Sequence, residues 1–363
     1  MIKIKTSSIL VLFCLLSSVL YSQKQNPSLV YQSATDFTVV GKIMATDEPF
    51  HRVDTTQYKH LPKAVKFHLT RSAGIAIAFK STSTSIYAKW CTDVKNSGPA
   101  MTPIAQKGLD LYIKKDGQWQ FAGVGRPQNG TLCAEDKLIG NLADGEKEFL
   151  LYLPPYSSVT RLEIGVEAEA SIEAGDYPFQ KKILVYGSSI VQGAGASRPG
   201  MVYTSILARQ TGYDFLNLGL SGSAKMEKEV ADLVAAISAD AYILDCIPNS
   251  SPKEVLERLG YLMQTVRKEN PTAPILVMQS VIRESGFFDQ KLGERVKQQN
   301  ENAYQEFLKE HQAGMDNIYF LFADHLLGED HDGTVDGTHP NDLGFHRMVE
   351  VMRPQIIQML KKK

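Results

Sequence analysis

The chain has 363 residues, 43% hydrophobic and 22% charged. These are the proportions of a soluble globular protein long enough to bury a sizeable core, about two domains' worth, without metal or disulfide staples. With 39 Lys plus Arg against 40 Asp plus Glu, the net charge is −1, so the basic excess expected of a nucleic-acid binder is missing, and the composition excludes disordered, collagenous, coiled-coil and polytopic membrane proteins.

Residues 1–22 read as a secretory signal peptide. Lys3 and Lys5 precede an apolar run at 9–20, and Tyr21, Ser22 and Gln23 follow. The run is too short for a stable membrane anchor. Cleavage near Ser22 predicts a mature protein that works in the periplasm or outside the cell. Cys91, Cys133 and Cys246 then remain, and an odd count argues against a disulfide framework. Whether Cys91 and Cys133 pair is left open, and Cys246, at the end of an apolar run, reads as a buried, inert thiol.

From the mature start to 178 the chain shows short apolar or alternating runs at 64–69, 74–79, 85–90, 109–114, 119–124, 148–153 and 160–166. Turn signals such as Lys115-Asp116-Gly117, Asn129-Gly130 and Asp144-Gly145 separate them. Many short strands without long helical patterns predict an antiparallel β-sandwich or jelly roll over 23–178. After Asp176-Tyr177-Pro178 the period changes. Apolar strands at 183–187, 215–220, 241–247, 275–280 and 318–323 alternate with helices at 201–211, 226–237, 252–269, 290–311 and 342–360. This alternation predicts a parallel sheet covered by helices on both faces over 179–363, with a site beyond the carboxyl ends of the strands.

The residues at those ends carry chemistry. The first strand runs into Gly187-Ser188-Ser189-Ile190, a tight turn that exposes a hydroxyl. The turn lacks the Lys of a phosphate loop and the third glycine of a dinucleotide loop. Near the C-terminus, Asp336-Gly337-Thr338-His339 puts a carboxylate three residues before an imidazole. Asp336 can then hold Nδ1 while Nε2 faces a serine. Gly222, after the second strand, offers a backbone N–H, and Asn249, after the third, offers a side-chain amide. With the Ser189 N–H they form a candidate oxyanion hole. The acidic stretch around Asp330-His331-Asp332-Gly333 does not match a calcium loop, and no Cys/His spacing suits zinc. The loop 283–288 is a candidate pocket wall, and Trp90, Trp119 and Tyr203 are candidates either for sugar stacking or for the core.

Gly187-Ser188-Ser189-Ile190, Gly222, Asn249 and Asp336-x-x-His339 follow the order of the four motif blocks of the SGNH (GDSL-like) hydrolases, which the chain resembles from 182 onward. The resemblance implies a flavodoxin-like α/β/α module, Ser189 as nucleophile, His339 as general base and acid, and Asp336 as its orienter. Ser189, Gly222 and Asn249 would supply the oxyanion donors, and no metal or cofactor is called for. Ser188 stands where the family has Asp, and Ile247 and Ser250 replace the usual neighbours of the block asparagine. Gly108-Leu109-Asp110-Leu111-Tyr112 resembles the signature of the GxDLY domain that precedes such modules. Taken with the secretory signal, the resemblance implies an esterase acting on short, acetyl-like esters of a small molecule or polysaccharide. An O-acyltransferase and a non-catalytic glycan binder are the alternatives.

Overall fold

The structure, a computed structural model, describes residues 28–361, and the predicted signal peptide lies outside the described residues. The N-terminal half comprises β1 (Leu29–Ser33), β2 (Thr38–Val40), α1 (Lys63–Leu69), β3 (Ala76–Ser81), β4 (Ile86–Thr92), α2 (Pro103–Lys107), β5 (Leu109–Lys115), β6 (Gln118–Gly125), β7 (Cys133–Ile139), β8 (Lys147–Tyr152), β9 (Val159–Glu167) and β10 (Ile172–Ala174). They form two antiparallel sheets, ordered β1-β9-β4-β7 and β10-β3-β8-β5-β6, with β2 also on β3. Trp90, Phe79, Phe149, Leu111 and Ile164 fill the space between the sheets. The run at 64–69 is a correction, because it forms α1 rather than a strand. Val65, Phe67 and Leu69 alternate as in a strand, but Val65 and Leu69 also stand four apart, and they are the buried pair while Phe67 points outward.

The C-terminal half comprises β11 (Gln180–Gly187), α3 (Ser189–Gln192), α4 (Tyr203–Thr211), β12 (Tyr213–Gly219), α5 (Lys228–Ala236), β13 (Ala241–Asp245), α6 (Pro252–Glu269), β14 (Ile275–Met278), α7 (Gln290–Gln312), β15 (Ile318–Leu321) and α8 (Asp342–Lys361). The strands form one parallel sheet in the order β12-β11-β13-β14-β15, the doubly wound order with its switch point beside the first strand. Alternate residues of β11 face opposite layers. Ile183 and Val185 pack with α4 and α8, whereas Leu184 and Tyr186 pack with α5, α6 and α7.

The two halves share a core. Ala76, Ala78, Leu150 and Tyr152, on the outer face of the second antiparallel sheet, belong to the same cluster as Ile206 and Leu207 of α4. For this reason β3 and β8 are buried on both faces, while β4, in the other sheet, alternates between buried and half-exposed residues. The Gly108–Tyr112 motif clamps the halves together. Buried Asp110 accepts from Arg198 Nη1 at 2.7 Å and from the Gly200 N–H at 2.7 Å, and Arg198 Nη1 also donates to the Tyr112 hydroxyl at 2.6 Å. A Cβ on Gly200 would lie 2.5 Å from the Tyr112 ring, so only glycine lets the segment come this close. Cys91 and Cys133 face each other on β4 and β7 and are joined by a disulfide, which settles the pairing left open by the sequence. Cys246 is free and buried, and burial pushes its thiol upward.

Candidate active site

Register brings three loops to one level of the parallel sheet. Gly187 at the end of β11 pairs with Gly219 of β12 on one side and with Asp245 of β13 on the other. The chain leaves these three strands toward Ser189, Gly222 and Asn249, so the residues lie at adjoining strand ends. Ser189 opens α3, and Ser188, where the family carries Asp, caps that turn by accepting from the Ile190 N–H at 3.2 Å. Ser189 is 8% exposed.

The loop before α8 supplies the other side. His339 Nε2 lies 2.9 Å from Ser189 Oγ, and its Nδ1 lies 2.7 Å from Asp336 Oδ2. Asp336 Oδ1 accepts from the backbone N–H groups of His339 at 2.8 Å and Thr338 at 3.0 Å. Partial burial works to raise the Asp336 pKa, but these hydrogen bonds and the imidazole outweigh it and hold the carboxyl below its ordinary value. One carboxylate therefore fixes both the loop and the ring. The Asn249 Oδ1 accepts from the Ala224 N–H at 3.3 Å, which ties the β13 loop to the β12 turn. No described residue accepts from the amide's donor end. Gly222 sits in the left-handed region at φ 66°.

The N-terminal half also reaches this edge, through residues that the sequence did not single out. Gln192, wholly buried, donates to the Pro155 carbonyl at 3.0 Å and accepts from the Ser221 N–H at 3.0 Å. Tyr156 donates its hydroxyl to the Ser189 carbonyl at 3.3 Å. Arg52, also wholly buried, donates to the carbonyls of Asn217 at 2.7 Å and Gly219 at 2.9 Å, at the end of β12. Burial lowers its pKa to about 9, which leaves it cationic at neutral pH. Gln192, three residues after Ser189, belongs to the C-terminal half and meets the N-terminal half at Pro155. Arg52 and Tyr156 arrive by tertiary contact alone.

The loop 283–288 bears on the Asp336–His339 loop. The Glu284 N–H donates to the Gly337 carbonyl at 2.9 Å, and Arg283 Nη2 donates to the Pro248 carbonyl at 2.9 Å, next to Asn249. Behind it lies a cavity of about 410 Å³ walled by Ile282, Phe287, Val296 and Asn300. Trp90 and Tyr203 are core residues, whereas Trp119 is half-buried. The acidic stretch is taken up by an ion pair and a side-chain hydrogen bond. Asp330 meets Arg347 at 2.7 Å, and His331 meets Glu284 at 2.8 Å.

Comparison with known proteins follows the same division. The model of the GDSL-like lipase/acylhydrolase family matches residues 180–357, and that of the GxDLY N-terminus of SGNH-type esterases matches 29–172. No curated protein matches the chain. Among solved structures, a Bacteroides ovatus protein assigned to the GDSL-like lipases is 51% identical, with a TM-score of 0.90 over 93% of this chain and 99% of its own. A salicylyl-acyltransferase from a tetracycline biosynthetic pathway is 21% identical, with a TM-score of 0.72 over 92% of this chain and 98% of its own. An acetyl xylan esterase from the rumen bacterium Butyrivibrio proteoclasticus is 12% identical, with a TM-score of 0.58 over the same shares. The last two show the fold alone. The first, alike in sequence from end to end, makes this chain a member of the GDSL-like (SGNH) lipase/acylhydrolase family, with the GxDLY N-terminus of its SGNH-type esterases.

Proposed function

We propose that the protein is a serine esterase that removes short acyl groups, acetyl foremost, from O-acylated carbohydrates through an acyl-serine intermediate. The observation that carries this reading is the continuous contact from Ser189 Oγ through His339 to Asp336. Ser189 attacks the ester carbonyl as His339 Nε2 takes its proton, and Asp336 holds the Nδ1 proton and stabilises the imidazolium. The oxyanion rests on the N–H groups of Ser189 and Gly222 and on Asn249 Nδ2, each such donor lowering the barrier by about 3 kcal/mol. His339 then protonates the leaving alcohol, and water repeats the cycle on the acyl-enzyme. The carbohydrate assignment is drawn from the fold shared with an acetyl xylan esterase. Action outside the cytoplasm fits the N-terminal signal and the Cys91–Cys133 disulfide.

The test is release of p-nitrophenol from p-nitrophenyl esters of two to eight carbons by wild type and Ser189→Ala. The expected result is a fall of about 10⁴-fold or more in the variant, with wild-type turnover declining as the acyl chain lengthens. Turnover unchanged by the substitution would overturn the mechanism. The fold shared with the salicylyl-acyltransferase keeps acyl transfer as the second reading. An added polyol that captures the acyl group in preference to water would favour it.

A further inference from the structure

A cavity of about 850 Å³ lies away from Ser189, between the β5–β6 hairpin of the sandwich and helices α4 and α8. It reaches Phe179 and Gly212, where β11 and β12 begin. Seven residues of strand separate those starts from the strand ends that carry Ser189 and Gly222, about 20 Å. Lys114, Arg198, Arg209, His346 and Arg353 line the cavity, and none of its lining residues is acidic.

Two of these cations are ion-paired, Lys114 with Glu148 at 3.0 Å and Arg198 with Asp110 at 2.7 Å. The other two arginines are held by neutral groups. Arg209 donates to the Gly200 carbonyl at 2.8 Å and lies 3.9 Å from the Tyr112 ring centre, and Arg353 donates to the Gln210 side-chain oxygen at 3.0 Å. Among the described residues neither has a carboxylate within ion-pair distance. Arg353 thus has no carboxylate partner, and Arg209 acts only at longer range on buried Asp110, which Arg198 already engages, so the cavity wall keeps a cationic excess that favours a bound anion. Half-buried Trp119 adds an aromatic wall to the same cavity, and an indole beside arginine forks suits a sugar ring that bears a carboxylate.

We propose that this cavity is a second, non-catalytic site for an acidic saccharide, a uronate residue whose carboxylate meets Arg353, with Arg209 adding positive charge from the wall behind it, while its ring lies against Trp119. The choice of a sugar rests on the carbohydrate reading of the active site, but the charge argument does not. The experiment is calorimetric titration of the protein with trigalacturonate, with neutral cellotriose and with inorganic sulfate, in wild type, Arg353→Gln and Trp119→Leu, each also assayed on p-nitrophenyl acetate. The expected result is binding of trigalacturonate in preference to both other ligands. Arg353→Gln, an exposed position, should weaken it about ten-fold, the loss of one charged hydrogen bond, and p-nitrophenyl acetate turnover should stay unchanged. Equal binding of cellotriose, or affinity untouched by Arg353→Gln, would overturn the proposal. Sulfate bound as tightly as trigalacturonate, with Trp119→Leu silent, would overturn its saccharide half. Since trigalacturonate carries no ester, failure here is separate from failure of the esterase reading.

Discussion

Two aspartates that border the Ser189 turn, Asp245 through its backbone and Asp336 through His339, are driven in opposite directions by their surroundings. Asp245 lies beneath the nucleophile turn, where its carbonyl accepts from the Ser188 N–H at 3.2 Å. Its side chain is 2% exposed and accepts from the Tyr203 hydroxyl at 2.9 Å. Burial raises its pKa to about 7, and the tyrosine hydrogen bond only partly offsets this. Asp336 lies on the far side of His339, its side chain 37% exposed, and its hydrogen-bond donors take its pKa below the ordinary value. The two differ in donors as well as depth: one hydroxyl for Asp245, against two backbone N–H groups and an imidazole for Asp336. Burial thus favours the protonated form of Asp245, and the donors of the 336–339 loop favour the Asp336 anion.

The strongest way to break this contrast is Asp336→Asn. Asparagine keeps an Oδ1 acceptor for the Thr338 and His339 N–H groups, so the loop and the melting temperature should change little. It replaces the Oδ2 acceptor by an NH₂ group, which cannot accept from Nδ1. The imidazole then takes the tautomer with its proton on Nε2, toward Ser189, and cannot receive the serine's proton. The expected result is a drop in kcat of about 10⁴-fold at neutral pH, read on p-nitrophenyl acetate beside thermal melting. A loss of ten-fold or less would mean that Asp336 only shapes the loop.

Asp245→Asn tests the other side, through stability. An unfolded Asp titrates near 4, whereas Asp245 in the fold titrates at about 7. Between those values the folded state binds the extra proton, so this group's contribution is fully present below about pH 4 and is lost as pH rises through about 7. Asparagine cannot ionise. The variant should therefore lose less stability than wild type between pH 5 and pH 8, by an amount on the order of 2 kcal/mol, measured by urea unfolding at the two values. Parallel pH profiles would show that Asp245 is solvated or paired in solution.

Much of this arrangement was legible in the sequence because local rules and tertiary structure agree. The helix read at 252–269 is found at those bounds, started by Pro252 in its first turn and by a capping box of Ser251 and Glu254. The strand ends could be read as a candidate site because doubly wound sheets bind ligands beyond them, and the structure joins Ser189, His339 and Asp336 by hydrogen bonds, with Gly222 and Asn249 on the loops after the neighbouring strands. Contacts between the halves were not legible. Nothing around Arg52 or Pro155-Tyr156 signals that these residues reach the β12 turn and the Ser189 carbonyl, since they meet them only after more than 30 intervening residues. The role of Asp110 and Tyr112 as a clamp was hidden likewise, because their partner Arg198 lies in the other half.

The smallest predicted effect locates what sets the base loop in place. Gly337 lies between Asp336 and His339 at φ 82°, and a Cβ there would lie 2.8 Å from Ser285 Oγ and 4.0 Å from its Cβ. Gly337→Ala thus imposes two separable costs, left-handed strain of about 1 kcal/mol and a clash with the 283–288 loop. Removing the hydroxyl with Ser285→Ala relieves only the clash. The single variant should melt slightly lower and lose several-fold in kcat as His339 is displaced from Ser189, and the double variant should recover kcat while keeping the lower melting temperature. Such a split would show that Ser285 and the Glu284 contact with Gly337 hold the base against the nucleophile from outside. If the double variant were as slow as the single, backbone strain within 336–339 would set the imidazole, and the 283–288 loop would be a neighbour without influence on it.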